Sequence, residues 1–112
     1  QLKRCLLLEL RRSSKFALLT RKKAALAREA QHRCGGARTV NIDPGYVALD
    51  QVVLSSVKPY AHRTPLGEGL YSELELRFQA RQFSPLPWTY PDYASCELRA
   101  FFSWARGLLR AT

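Results

Sequence analysis

Between Leu70 and Phe78 the chain alternates. Leu70, Leu74, Leu76 and Phe78 share one parity, broken only by the small Ser72, and Tyr71, Glu73, Glu75 and Arg77 share the other. Successive side chains of a strand point to opposite faces, so this run predicts a strand with one buried and one wet face. A lone strand has no stability in water. It needs neighbours to pair its backbone and a layer to cover its apolar face.

The flanking segments offer both. Gly67-Glu68-Gly69 reads as a tight connection before the run, and Gln79–Gln82 as a turn after it. Phe83–Leu86 reads as a short return strand, confined to an edge by Pro85 and Pro87. Tyr60–Thr64 reads as a further strand that Pro65 ends. Thr39, Val40 and Ile42 are β-branched and predict a strand over 38–42. It leads into Asn41-Ile42-Asp43-Pro44-Gly45-Tyr46, where Pro before Gly suits a type II turn, with Gly45 at positive φ. Residues 47–56 read as helix, because Leu49, Val52, Val53 and Val57 fit helical spacing. Residues 95–110 form an amphipathic helix with Ser95 as N-cap, Glu97 in the first turn and Leu98, Phe101, Phe102, Ala105 and Leu109 as the apolar stripe.

Ahead of this body lie two helical stretches, 2–12 and 15–33, parted by Ser13-Ser14 and stopped by Gly35-Gly36. Phe16, Leu19 and Leu26 carry the apolar spacing of the second. The expected architecture is therefore α+β: a small antiparallel sheet over 38–42, 60–64, 70–79 and 82–87, packed against a C-terminal helix and preceded by basic N-terminal helices. The division falls between a basic helical segment, 1–37, and an α+β body, 38–112.

Charge follows the same division. The net charge is +9, and residues 1–40 hold eleven lysines and arginines against two acids, whereas the remainder is balanced. A basic face for nucleic acid, if used, belongs to residues 1–38. A solvated helix face explains the same cations, and Phe16 is the only aromatic in the first forty residues available to stack a base.

Several functions are excluded. There is no apolar run long enough to cross a membrane as a helix, so no membrane partner is expected. Cys5, Cys34 and Cys96 are odd in number and lack C-x-x-C spacing, which argues against a disulfide framework and a zinc knuckle and favours reduced thiols in the cytoplasm. No metal-ligand spacing, G-x-S-x-G elbow or P-loop is present.

Five motifs in order carry a resemblance: residues 38–46 (Arg-Thr-Val-Asn-Ile-Asp-Pro-Gly-Tyr), 52–58 (Val-Val-Leu-Ser-Ser-Val-Lys), His62-Arg63, 66–73 (Leu-Gly-Glu-Gly-Leu-Tyr-Ser-Glu) and 87–93 (Pro-Trp-Thr-Tyr-Pro-Asp-Tyr). Residues 38–106 resemble the C-terminal half of a bacterial and archaeal domain-of-unknown-function family whose members often carry a GTP-binding label. The resemblance implies that the body is part of a larger family domain, with a truncated or remodelled N-terminal half.

The residues with chemistry are Asp43, Tyr46, His62, Arg63, Tyr71, Glu73, Trp88, Tyr90, Asp92 and Tyr93. Carboxylates and imidazole shuttle protons, arginine recognises phosphate, and the aromatics stack a base or a sugar. Each has a plainer role. Asp43 can cap its own turn, Glu73 and Glu75 can form the wet face of the strand, and Trp88, Tyr90 and Tyr93 can close a proline-rich corner. The leading expectation is a site for a nucleotide or other phosphate-bearing small ligand where Asp43/Tyr46, His62/Arg63, Glu73 and Asp92/Tyr93 converge. The alternatives are a nucleic-acid-binding module and an interaction domain without ligand.

Overall fold

The computed structural model describes residues 6–8, 17–34, 37–38 and 42–111. In chain order the elements are α1 (Leu18–Gln31), β1 (Arg33–Cys34), β2 (Ala37–Arg38), β3 (Gly45–Val47), β4 (Gln51–Ser56), β5 (Arg63–Gly67), β6 (Leu70–Gln79), β7 (Gln82–Pro85) and α2 (Cys96–Ala111). The fold is α+β. β3 to β7 make a five-stranded antiparallel sheet of order β3-β4-β6-β5, with β7 also paired to β6, and β1 and β2 form a separate small hairpin.

β6 is the centre of this arrangement and matches the alternating run. One edge pairs with β4 along most of its length. The other edge is shared. β5 takes the first part, from Leu70 to Glu73, and β7 takes the last, from Leu76 to Gln79. Leu74 and Glu75 have no strand opposite them on that edge.

A second irregularity falls at the same place. Val53 pairs with Leu74 and Val52 with Leu76, so Glu75 is an extra residue in the β4–β6 ladder. Such a bulge shifts the parity of the strand beyond it. Partners directly opposite share a face, so Glu73, opposite Leu54, and Leu76, opposite Val52, lie on the same side of the sheet. The single wet face expected for Tyr71, Glu73, Glu75 and Arg77 is thereby overturned. Glu73 and Glu75 are buried, and only Arg77 is exposed.

That side carries the main core: Val52, Leu54, Leu76 and Phe83 from the sheet, Tyr93 from the loop before α2, and Phe102 from α2. Leu98 and Phe101 of α2 pack against it, as does Leu6. Ser95 caps α2, its Oγ accepting from Leu98 N at 3.2 Å, as the sequence predicts. α1 packs on β4 and covers the other side, where Val53 and Leu70 are buried. Its buried stripe is Leu18, Lys22, Ala25 and Glu29, one position off the apolar residues Leu19 and Leu26, which are half-buried.

Four expectations need correction. Residues 51–56 are strand, not part of a helix over 47–56. β4 is buried on both faces from Val52 to Ser55, so its sequence lacks alternation, and its β-branched valines decide the matter in favour of pairing. Gly45 opens β3 rather than serving as a left-handed turn residue. Glycine is needed there for closeness: a Cβ would overlap the Val53 carbonyl oxygen and come within 2.8 Å of Leu54 Cδ2. The strand read at 60–64 is β5, three residues later, with Pro65 inside an edge strand, where a missing amide is tolerated. Residues 6–8 carry no helix. The rest of the 2–12 stretch, the Ser13-Ser14 break, the Gly35-Gly36 stop and most of the 38–42 strand lie outside the described residues. Among the described residues no helix is long and apolar enough to cross a membrane.

Candidate functional site

The gap opposite Leu74 and Glu75 is closed by the loop leading into α2. Trp88 Nε1 donates to the Leu74 carbonyl at 2.7 Å, and Thr89 Oγ1 donates to the Glu75 carbonyl at 2.6 Å. These take the place of ladder bonds that a strand would have made. The loop is itself pinned, since Leu86 N donates to Thr89 Oγ1 at 2.8 Å and Tyr90 N donates to Glu75 Oε1 at 2.7 Å. The aromatic-rich stretch that looked like a corner is thus a plug held by β6 backbone and by one carboxyl.

Glu75 is wholly buried, at 0% exposure. Its Oε1 is satisfied by Tyr90, but Oε2 receives no donor from any described residue. Its neighbour is Glu73, also an acid. Burial raises the Glu75 carboxyl to about 8, the Tyr90 amide opposing this and the charges of Glu73 and Asp92 adding to it. At neutral pH Glu75 therefore carries a proton, and the bond between the two carboxyls is a donation from Glu75 to ionised Glu73.

Glu73 behaves in the opposite sense. Burial alone would raise it, but hydrogen bonds from His62, Glu75 and Arg63, with the Arg63 charge, hold it below the ordinary carboxylate range. His62 Nε2 lies 2.6 Å and Arg63 Nε 3.0 Å from the same oxygen, Glu73 Oε1. Two carboxyls two residues apart are pushed to opposite protonation states by their surroundings, as in paired acid–base sites.

Arg63 is spent within the protein. Nη1 donates to the Lys58 carbonyl at 2.9 Å, Nη2 to Tyr90 Oη at 3.4 Å, and the guanidinium lies 4.5 Å from the Tyr60 ring centroid. His62 stacks on Trp88, with ring centroids 4.7 Å apart and 17° between planes. Since Glu73 only accepts, Nε2 carries a hydrogen, and Nδ1 is the ring nitrogen that remains for chemistry. His62 is half-buried, and Tyr60 and Tyr90 at the rim are exposed. Burial and the nearby glutamates raise the Tyr90 phenol, with Arg63 opposing, so it keeps its proton and acts as a donor.

The structure brings together His62, Arg63, Glu73, Trp88 and Tyr90, with the Asp92 charge felt at Glu75. It does not bring Asp43, Tyr46 or Tyr93 to them. Asp43 pairs with the buried Lys22 of α1 at 3.6 Å, and the neighbouring Ile42 N donates to Glu29 Oε2 at 2.7 Å. Tyr46 is on β3, separated from β5 by β4 and β6, and donates to Gln51 Oε1 at 3.3 Å. Tyr93 is core, stacked on Phe102. Tyr71 is two residues before Glu73, half-buried, and pairs across to Ser56 and Pro65. Glu75 also joins them, one of a pair of acids in a strand otherwise fit for burial, and Thr89 is the member that sequence reasoning passed over. Among the described residues no three histidine, cysteine, aspartate or glutamate side chains are grouped to hold a metal ion.

The model of a domain of unknown function, DUF4416, matches residues 1–108. The chain belongs to the DUF4416 family. The match begins at residue 1, so the DUF4416 relationship extends through the basic segment that the resemblance over 38–106 had left out. No curated protein and no solved structure matches this DUF4416 chain.

Proposed function

We propose that this domain binds a small ligand at the mouth of the His62–Glu73–Glu75 cluster and handles a proton there, with His62 Nδ1 as the group that meets it. The observation that carries the reading is the fully buried Glu75, an acid set close to the equally buried Glu73, with its second oxygen reached by no donor among the described residues. A fold has no structural need for that arrangement, which costs stability. Glu73 orients the imidazole and stabilises its charged form, the role an acid plays behind a catalytic histidine. Tyr60 and Tyr90 supply exposed ring faces at the rim.

A nucleotide or phosphate-bearing compound remains the ligand class favoured by an aromatic rim beside cations. Arg63 is not the phosphate clamp, because its donors are already engaged. The nucleic-acid reading has less support. On α1, Lys22 is buried against Asp43, and Lys23 bonds Glu68 at 2.9 Å.

The test is a thermal-shift and NMR screen with nucleotides, sugar phosphates, nucleosides and carboxylic acids. At least one should raise the melting temperature and move the His62 ring signals, and His62→Ala should abolish the effect while Tyr46→Phe leaves it intact. Binding that survives His62→Ala refutes the reading.

A further inference from the structure

The plug over β6 is lightly held for its position. Its ends are fixed by Phe83 of β7 on one side and Tyr93 on the other, both buried. Between them, from Leu86 to Asp92, no residue is buried, and pairing with β6 stops at Pro85. What ties the stretch down is polar. Trp88 Nε1 donates to the Leu74 carbonyl, Thr89 Oγ1 to the Glu75 carbonyl and Tyr90 N to Glu75 Oε1, with a long bond from Arg63 Nη2 to Tyr90 Oη. The Trp88 ring adds its stack on His62. A segment with anchored ends and few buried apolar contacts opens locally before the whole fold does.

One of those ties is to an acid, and the acid lies under the plug. Glu75 is 0% exposed, beside the buried Glu73. The charged and titratable groups that face it are Glu73 on its own strand, Asp92 and the Tyr90 phenol on the plug and, across Glu73, His62 and Arg63. β4 meets this stretch with Val52, Val53 and Leu54, and β7 has no ionisable residue. With the plug in place, a second negative charge there would have the Tyr90 amide on one oxygen and no donor on the other. Arg63 is already bonded to Glu73. Lifting residues 86–92 lets water reach both carboxyls.

We infer that residues 86–92 form a hinged strap, shut while the Glu73–Glu75 pair carries one negative charge and lifted when it carries two. Opening breaks the Glu75 O–H bond, sends that proton to solvent, and parts Tyr90 N from the carboxyl and the Trp88 ring from His62. No other covalent bond changes. Given the site proposed above, the strap also covers one face of the ring that meets the ligand. In the shut fold burial raises the Glu75 carboxyl from 4.5 to about 8, and hydration in the lifted one returns it toward the ordinary value. The lifted fraction therefore climbs with pH between those values, by up to about tenfold per unit, and levels off above the higher.

Hydrogen exchange on the parent protein reads the strap with no ligand present. The Trp88 indole and the Tyr90 amide are the reporters, and Ser55 N, which donates to the Pro44 carbonyl at 2.9 Å, is the reference inside the sheet. Protection of both reporters, corrected for the ordinary pH dependence of exchange, should fall by up to about tenfold per unit toward pH 8 and flatten beyond it. Urea below the unfolding transition should leave the reporters unmoved and speed exchange at Ser55, because a local lift exposes little surface. Glu75→Gln should hold the reporters' protection constant across the range. Should that variant fail to fold, the parent profile still decides. Reporter protection that does not change with pH, or that matches Ser55 in size and urea dependence, overturns the strap. Either result leaves the ligand reading to its own screen, and a failed screen leaves the strap standing.

Discussion

Glu75→Gln isolates the buried proton. The amide keeps an oxygen for Tyr90 N and places an NH₂ group where the acid proton lies, so the bonds at both ends survive. What is lost is titration. Glu75 is raised from 4.5 in the ordinary state to about 8 in the fold. The folded protein therefore holds a proton over that window that the unfolded chain has released, and stability falls as pH rises through it. At 1.36 kcal/mol per pKa unit the full effect is about 5 kcal/mol, reached above pH 8. That is a large part of the stability of a small domain. Glu73, held low, works the other way. Its contribution is present above the ordinary carboxylate range and is lost as pH falls through its folded value. Urea denaturation of both proteins from pH 5 to 9 gives the difference directly, since the other titrating groups largely cancel. The variant should match the parent near pH 5, gain on it by up to about 1.4 kcal/mol per unit, and be several kcal/mol more stable at pH 9. Parallel stability curves would refute the assignment of a buried proton to Glu75.

The β6–β7 turn should accept improvement. Ala80 and Arg81 both have positive φ, 52° and 64°, which suits Asn-Gly far better, so Ala80→Asn with Arg81→Gly should add about 1–2 kcal/mol in chemical denaturation. Gly45→Ala should cost about 2–3 kcal/mol or more, because the new methyl overlaps the Val53 carbonyl, and a variant within 0.5 kcal/mol of the parent would contradict that contact. Trp88→Phe should cost about 1–3 kcal/mol by leaving the Leu74 carbonyl without its donor, while the stacked ring keeps the upfield shift of the His62 protons in NMR. Ser95→Ala should cost about 1 kcal/mol and fray the first turn of α2, read by amide exchange at Leu98.

What was legible in the sequence was what local rules decide. The bounds of β6, the turn at 80–81, the capped helix α2 and its buried Phe102 all follow from period, turn chemistry and capping. β4 was hidden because a strand covered on both faces loses its alternation, so Val52 and Val53 fitted a helix equally well. The bulge at Glu75 was hidden because it exists only against β4. Without it Glu73 and Glu75 fall on the face of Arg77 and look solvated. The convergence of His62, Arg63, Glu73, Trp88 and Tyr90 depends on β5 and β7 sharing one edge of β6, a relation between segments that no single segment records. Asp43 and Tyr46 were grouped with them on chemistry alone, and two intervening strands keep Tyr46 away.

The three departures from local rule fall at one place. The ladder bulges at Glu75, the edge opposite Leu74 and Glu75 lacks a strand, and two acids are buried beside an aromatic plug. Each alone has a structural reading. A gap in a sheet can be filled by side-chain donors, and Trp88 and Thr89 fill this one. That reading does not reach Glu75, because Tyr90 N needs only an acceptor and a glutamine would serve it without the cost of an acid pair. The proton on Glu75 matters only if the charge of Glu73, and through it that of His62, must be set. Local consistency is given up most readily where a site needs it; α1 also buries charge, but there Lys22 faces Asp43 and Glu29 accepts from Ile42 N, so each is answered by a partner of ordinary kind. The functional reading therefore rests on the interrupted edge of β6, and a glutamine at position 75 that left both the pH dependence of stability and the binding of every compound in the ligand screen unchanged would remove its foundation.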